Sequence, residues 1–197
     1  LKSLVEKGNT GRLESILPPV TIPAWGCAFS GLRPERVDRF DFHVVDFDDY
    51  SFEPQPRDEF LGKEFWRYTD SKSAIVDVPC AVVDDVNGYI TRNFFSADGK
   101  VAYPDDVAEE LEEKLEDILE PDGETKIENA HESFEARKDV FNWFLNEKDS
   151  AEVYFIVFRL TDTLMHHCET DEQLVDAYKK ADSYLGELMD READIIV

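Results

Sequence analysis

A surplus of carboxylates constrains this chain more than any other feature: 45 Asp and Glu stand against 21 Lys and Arg, a formal charge of −24 in 197 residues. A compact fold must hold that charge against its own repulsion, so the acids face outward around a strongly cohesive interior. The cohesive part is present. Hydrophobic residues make up 42% of the chain and aromatics 12%, including 14 Phe, 7 Tyr and 3 Trp, whereas acidic disordered chains are poor in aromatic and β-branched side chains. The length suits a single domain, 1–197.

The charge is uneven. Residues 1–40 hold six basic side chains against four acids, which leaves 15 bases and 41 acids for the rest. Such a field repels nucleic acid and anionic membrane and attracts basic surfaces, so direct nucleic-acid binding is excluded first. Three separated cysteines (Cys27, Cys80, Cys168) form neither an even set nor a CxxC, which points to a reducing, cytoplasmic setting. The first apolar stretch is interrupted by Pro18, Pro19 and Pro23, unlike a signal peptide. The longest apolar run, residues 153–158, is strand-sized and far short of the ~20 residues of a membrane helix.

The patterning predicts an α+β fold: an antiparallel β-meander over about 40–103, with a further strand near 153–160, packed against three amphipathic helices. Residues 1–17 read as a short helix, and 18–39 as a Pro- and Gly-bearing segment crossing the surface with Trp25 and Phe29 tucked in. Phe40–Val44 alternates as a half-buried strand. Runs at 74–78, 81–83, 89–95 and 100–103 are joined by Asn87-Gly88 and Asp98-Gly99, which suit hairpin turns. Val107, Leu111, Leu115 and Ile118 make one helical stripe. A second helix spans about 128–145 around Phe134, Phe141, Phe144 and Leu145. The run at 153–160 suggests a strand buried on both faces. Thr170-Asp171-Glu172-Gln173 has capping-box form and opens a last helix burying Leu174, Ala177, Tyr178, Ala181, Leu185 and Leu188.

Catalytic signals are sparse. Met165-His166-His167-Cys168-Glu169 is the densest group of ligand-capable side chains, but adjacent histidines on a helix point about 100° apart, and zinc sites want donors at i and i+4 or from separate elements. Pro104-Asp105 with Glu124-Thr125-Lys126 matches a nuclease string on elements that cannot converge as adjacent strands. Asp85–Gly88 lacks the first and twelfth ligands of a calcium loop. Glycine motifs for phosphate and a G-x-S-x-G elbow are absent, and no neighbour activates Cys27. These readings imply no metal and no cofactor.

The acids themselves remain. Residues 105–120 carry nine carboxylates and one lysine, one acid per ~2.7 Å of helix, against one phosphate per ~1.7 Å of duplex axis. The expectation is therefore a non-catalytic protein that captures or inhibits a basic partner, such as a nuclease or polymerase, by mimicking nucleic acid, as phage-type or immunity-type inhibitors do. Its docking residues would be Asp105, Asp106, Glu109, Glu112, Glu113, Glu116 and Glu120, extended by Asp46, Asp48 and Asp49. The alternatives are an assembly component, for instance a dimer, whose acids only solubilise it, and a metal-dependent enzyme using the 166–168 region.

Overall fold

The computed structural model describes residues 1–54, 60–93, 99–116, 126–148 and 151–191. The elements run α1 (Lys2–Lys7), α2 (Thr21–Ser30), α3 (Pro34–Val37), β1 (His43–Val45), β2 (Phe52–Pro54), β3 (Ser73–Val76), β4 (Gly88–Thr91) and β5 (Ala102–Tyr103). Then follow α4 (Asp105–Glu116), α5 (Lys126–Glu147), β6 (Val153–Ile156), α6 (Leu160–His167) and α7 (Asp171–Met189). The fold is α+β, with a small antiparallel sheet and a four-stranded mixed sheet. The chain packs as two compact units. A sheet unit comprises Glu14–Leu119 and Ala136–Val157, and a helical unit Leu1–Leu13, Glu120–Glu135 and Phe158–Val197.

In the sheet unit, strand order is β5-β4-β3-β6, and β1 pairs with β2 on its own. The expected antiparallel pairing holds for β1–β2 and β4–β5. At β3 it is corrected: β3 runs parallel to both β4 and β6. All four β3 residues are buried, and strands covered on both faces belong to parallel sheets. The connection over 77–87 crosses back to the start of β4, where a tight hairpin would have reversed the chain. Asn87-Gly88 is therefore the entry to β4. Gly88, at φ +133°, is required by proximity, since a Cβ there would stand 2.0 Å from the Ser73 carbonyl oxygen. The expected strand at 81–83 is loop, and Asp98 lies outside the described residues. β6 is an edge strand and only half-buried, against the expectation of burial on both faces.

Alternation along β3 divides the core. Ala74 and Val76 join Val107, Leu111 and Leu115 of α4 and Val140 and Phe144 of α5 on one side. Ile75 joins Ile90, Phe29, Val37, Phe60 and Trp66 on the other. The α4 stripe is as its spacing predicted, with Ile118 outside the described residues. The segment 18–39 is corrected more deeply. It forms α2 and α3, because Pro23 sits in a first turn that needs no N–H and Gly31 closes α2 in a left-handed C-cap. Gly26 lets the Phe60 ring lie against α2, where a Cβ would come within 2.3 Å of the ring. Phe29 then packs edge-on to Phe60 at 5.4 Å and against Trp66 at 5.5 Å; each such aromatic burial stabilises by about 1.5–3 kcal/mol. β1 begins only at His43, and Phe40, Phe42 and Val44 are exposed where half-burial was expected.

In the helical unit, Phe134 of α5, Phe158 and Tyr184 of α7 form a ring cluster, with Phe158–Tyr184 centroids 5.3 Å apart. Ala130, Leu160, Leu164 and Ala177 are buried with them in that unit. The capping box of α7 is present: Thr170 Oγ1 accepts from the Gln173 amide at 3.4 Å, and Gln173 Oε1 accepts from the Thr170 amide at 3.2 Å. Tyr184, seven residues after Ala177 and so on its face, is buried, while Tyr178 is exposed, correcting the expected stripe. Among the described residues no helix is long and apolar enough to cross a membrane.

Candidate active site

The acids singled out by charge fall in two places. Asp105 and Asp106 open α4, and they are exposed together with Glu109 and Glu112; Glu113 and Glu116 belong to the same helix, and Glu120 lies outside the described residues. Lys148 pairs with Glu110 at 3.1 Å and Lys100 stands 3.7 Å from Asp105, so lysines offset part of this face. Asp46, Asp48 and Asp49 form the turn between β1 and β2. Asp46 Oδ1 accepts the Asp48 amide at 2.8 Å, and Asp49 Oδ1 accepts the Ser51 amide at 2.8 Å. The Ser51 hydroxyl and amide hold the Asp49 carboxyl below the usual carboxylate range. Turn closure accounts for these two acids locally.

At the C-terminal ends of β3 and β4, where open parallel sheets meet their ligands, the sheet unit holds a buried polar layer. Asp77, left-handed at φ 52°, donates its amide to Thr91 Oγ1 at 3.1 Å. Its carboxylate pairs with Arg137 of α5, both side chains almost wholly buried. Asn93 Nδ2 donates to the Ala81 carbonyl at 2.9 Å. This layer locks α5 to the sheet. Two thiols of the sheet unit are held toward the protonated form: burial pushes Cys80 up to about 12, and burial followed by the Glu35 carboxylate raises Cys27. That agrees with the absence of any activating neighbour in the sequence.

An anion can approach the sheet unit at the start of α2. Among the described helices of eight or more residues, α2 alone has no acid in its first turn; α4, α5, α6 and α7 all do. Thr21 is its first residue and is exposed. The N-cap is Val20, which offers no side-chain cap, so the first amides keep the partial positive charge of a helix start. A hydroxyl and free amides at such an end suit a phosphate. Thr21 lies in the segment 18–39 expected to cross the surface, where no helix start was expected. The signal was Pro at the third position of a helix ending in Gly31.

In the helical unit, α6 carries Asp162 and His166 at i and i+4, both largely exposed, with His166 Nε2 3.8 Å from Asp162 Oδ1. Two donors on one tetrahedral zinc ion lie about 3.4 Å apart, so a small rotamer change lets this pair hold a cation. His167 turns away, its ring 6.3 Å from that of His166 at 52°, and Cys168 lies beyond the helix as its extended C-cap. The pair that fits a metal is therefore not the run 165–169. It joins His166 to Asp162 one turn earlier, which the i, i+4 rule indicated. No third His, Cys, Asp or Glu completes a set of three among the described residues.

The family model for type I phosphodiesterase / nucleotide pyrophosphatase matches residues 1–194. No curated protein and no solved structure matches the chain. The family match overturns the expectation of a non-catalytic protein, and with it the inhibitor and nucleic-acid-mimic reading, because this is a family of enzymes that cleave phosphate esters and anhydrides. The carboxylate surplus does not by itself mark a docking surface for a basic partner. The chain belongs to the type I phosphodiesterase / nucleotide pyrophosphatase family.

Proposed function

We propose that the protein hydrolyses phosphodiester or nucleotide pyrophosphate bonds, with Thr21 of the sheet unit as the attacking hydroxyl. The family match over residues 1–194 carries this reading. One physical argument supports the residue: an anionic substrate must reach a protein of charge −24, and the first turn of α2 is free of carboxylates.

In the proposed reaction the Thr21 oxygen bonds to phosphorus as the bond to the leaving alcohol or nucleotide breaks. The hydroxyl proton passes to the leaving oxygen or to solvent, and water then cleaves the bond between phosphorus and the threonine oxygen, which frees the phosphate monoester and restores the hydroxyl. The positive helix start favours both the developing alkoxide and the phosphoryl oxygens.

The test is release of p-nitrophenol from bis(p-nitrophenyl) phosphate and from thymidine 5′-p-nitrophenyl phosphate by the purified protein. The expected outcome is hydrolysis of at least one of the two compounds. No turnover of either compound with any of zinc, manganese or magnesium would overturn the reading.

A further inference from the structure

A cleft of about 370 Å³ in the sheet unit is lined by Trp66, Arg67, Thr69, Asp85, Val86 and Asn87. It lies at the N-terminal edge of β3 and β4, since Thr69 precedes β3 and Asp85–Asn87 run directly into β4. The polar layer of Asp77 and Thr91 occupies the opposite edge of the same strands. The cleft is therefore separate from that layer.

Its two walls differ in chemistry. The 66–69 wall offers donors. Arg67 is pinned, its Nε donating to the fully buried Glu64 carboxylate at 3.0 Å and its Nη1 to the Asp85 carbonyl at 2.8 Å. Arg67 Nη2 and the Trp66 indole N–H are buried and have no hydrogen-bond partner among the described residues. Thr69 Oγ1 accepts the Ser71 amide at 3.1 Å, which leaves its hydroxyl proton to give. The 85–87 wall offers acceptors. Asn87 commits Nδ2 to the Asp70 carbonyl at 2.7 Å and keeps its amide oxygen. Asp85 is exposed, and its carboxylate takes a hydrogen bond from the Tyr103 hydroxyl, whose own proton it thereby holds above the ordinary phenol range.

Charge selects the ligand. Glu64 cancels Arg67, so the lining keeps the uncompensated charge of Asp85, and a lone oxyanion would meet repulsion. A lone cation would leave the Trp66 and Arg67 donors unanswered, which buried donors resist. A molecule with an acceptor group at one end and an ammonium at the other satisfies both walls. Because the guanidinium is already fixed, little ordering is required on binding. We infer that this cleft binds a small zwitterion of the α-amino acid class, its carboxylate toward Trp66, Arg67 and Thr69 and its ammonium toward Asp85 and Asn87. The volume is at the small end of ligand sites and suits one such molecule.

The test uses the indole N–H signals of the three tryptophans in nitrogen-15 spectra, with Trp66 assigned by comparison with Trp25→Phe and Trp143→Phe. The probes are a pool of polar L-amino acids, acetate alone and ethylammonium alone, each at millimolar concentration. The pool should move the Trp66 signal saturably, and each single-function probe should bind at least about tenfold more weakly. Asp85→Asn and Thr69→Val, both at the cleft rim, should each weaken the pool's effect by about tenfold while leaving the unliganded spectrum in place. A Trp66 signal unmoved by the pool overturns the inference. So does an equal response to acetate alone, or one that survives Asp85→Asn undiminished.

Discussion

Asp77 and Arg137 form a buried ion pair within the sheet unit. Both are almost fully removed from water and they hold α5 against the end of β3. Cutting one partner leaves a buried charge unanswered, so Asp77→Ala should cost about 3–5 kcal/mol in urea unfolding. The double change Asp77→Ala with Arg137→Met should recover much of that loss; a single variant within about 0.5 kcal/mol of wild type would show that the pair carries no such weight. At this scale some of the site was legible in the sequence and some was not. His166 stood out as a ligand type, but its partner Asp162 was hidden by attention to the run 165–169. Asp77 gave no signal, because a left-handed aspartate after a buried strand is a tertiary outcome. Thr21 was visible only once α2 was recognised.

Among the elements, α4 presents the stripe its spacing required and α7 the capping box its first residues required, although α7 buries Tyr184 and not Tyr178. The strands were harder. β3 is apolar on both faces, and the residues after it resemble a hairpin until the crossover over 77–87 is seen, so local turn chemistry could not reveal parallel pairing. The α5–α7 contact supplies a test of its own. His131 is pushed below its ordinary value of about 6.5 first by burial and then by the Lys180 charge, with Asp176 and Glu135 opposing. Lys180 also reaches the His131 carbonyl at 3.4 Å and Glu135 at 2.8 Å. The folded protein thus disfavours the imidazolium. Stability from this site is complete above the unfolded value of about 6.5 and is lost as pH falls through the lower folded value. His131→Gln should flatten the decline of the melting temperature between pH 7 and 5; an unchanged slope would assign that decline to other groups.

For the molecule as a whole, the charge of −24 is an obstacle to the substrate, and this bears on rates. A like-charged diester is repelled over a Debye length of about 10 Å at 0.1 M salt and about 30 Å at 0.01 M. Under kcat/KM conditions, hydrolysis of an anionic diester should therefore speed up as sodium chloride rises through that range. A steep fall would instead indicate a net positive approach path. The class of the fold and the aromatic interior followed from composition and patterning, whereas the buried acids Glu64 and Asp77 did not. The enzymatic identity did not follow either, because it rests on the family match and no local motif in the sequence announces it.

The most direct measurement of the account is the rate of bis(p-nitrophenyl) phosphate hydrolysis by the wild type, Thr21→Ser and Thr21→Ala, with folding of each confirmed by circular dichroism. The account predicts a retained though reduced rate with serine, which keeps the hydroxyl. With alanine it predicts a loss of at least about 10²-fold. An alanine variant as fast as the wild type would contradict it.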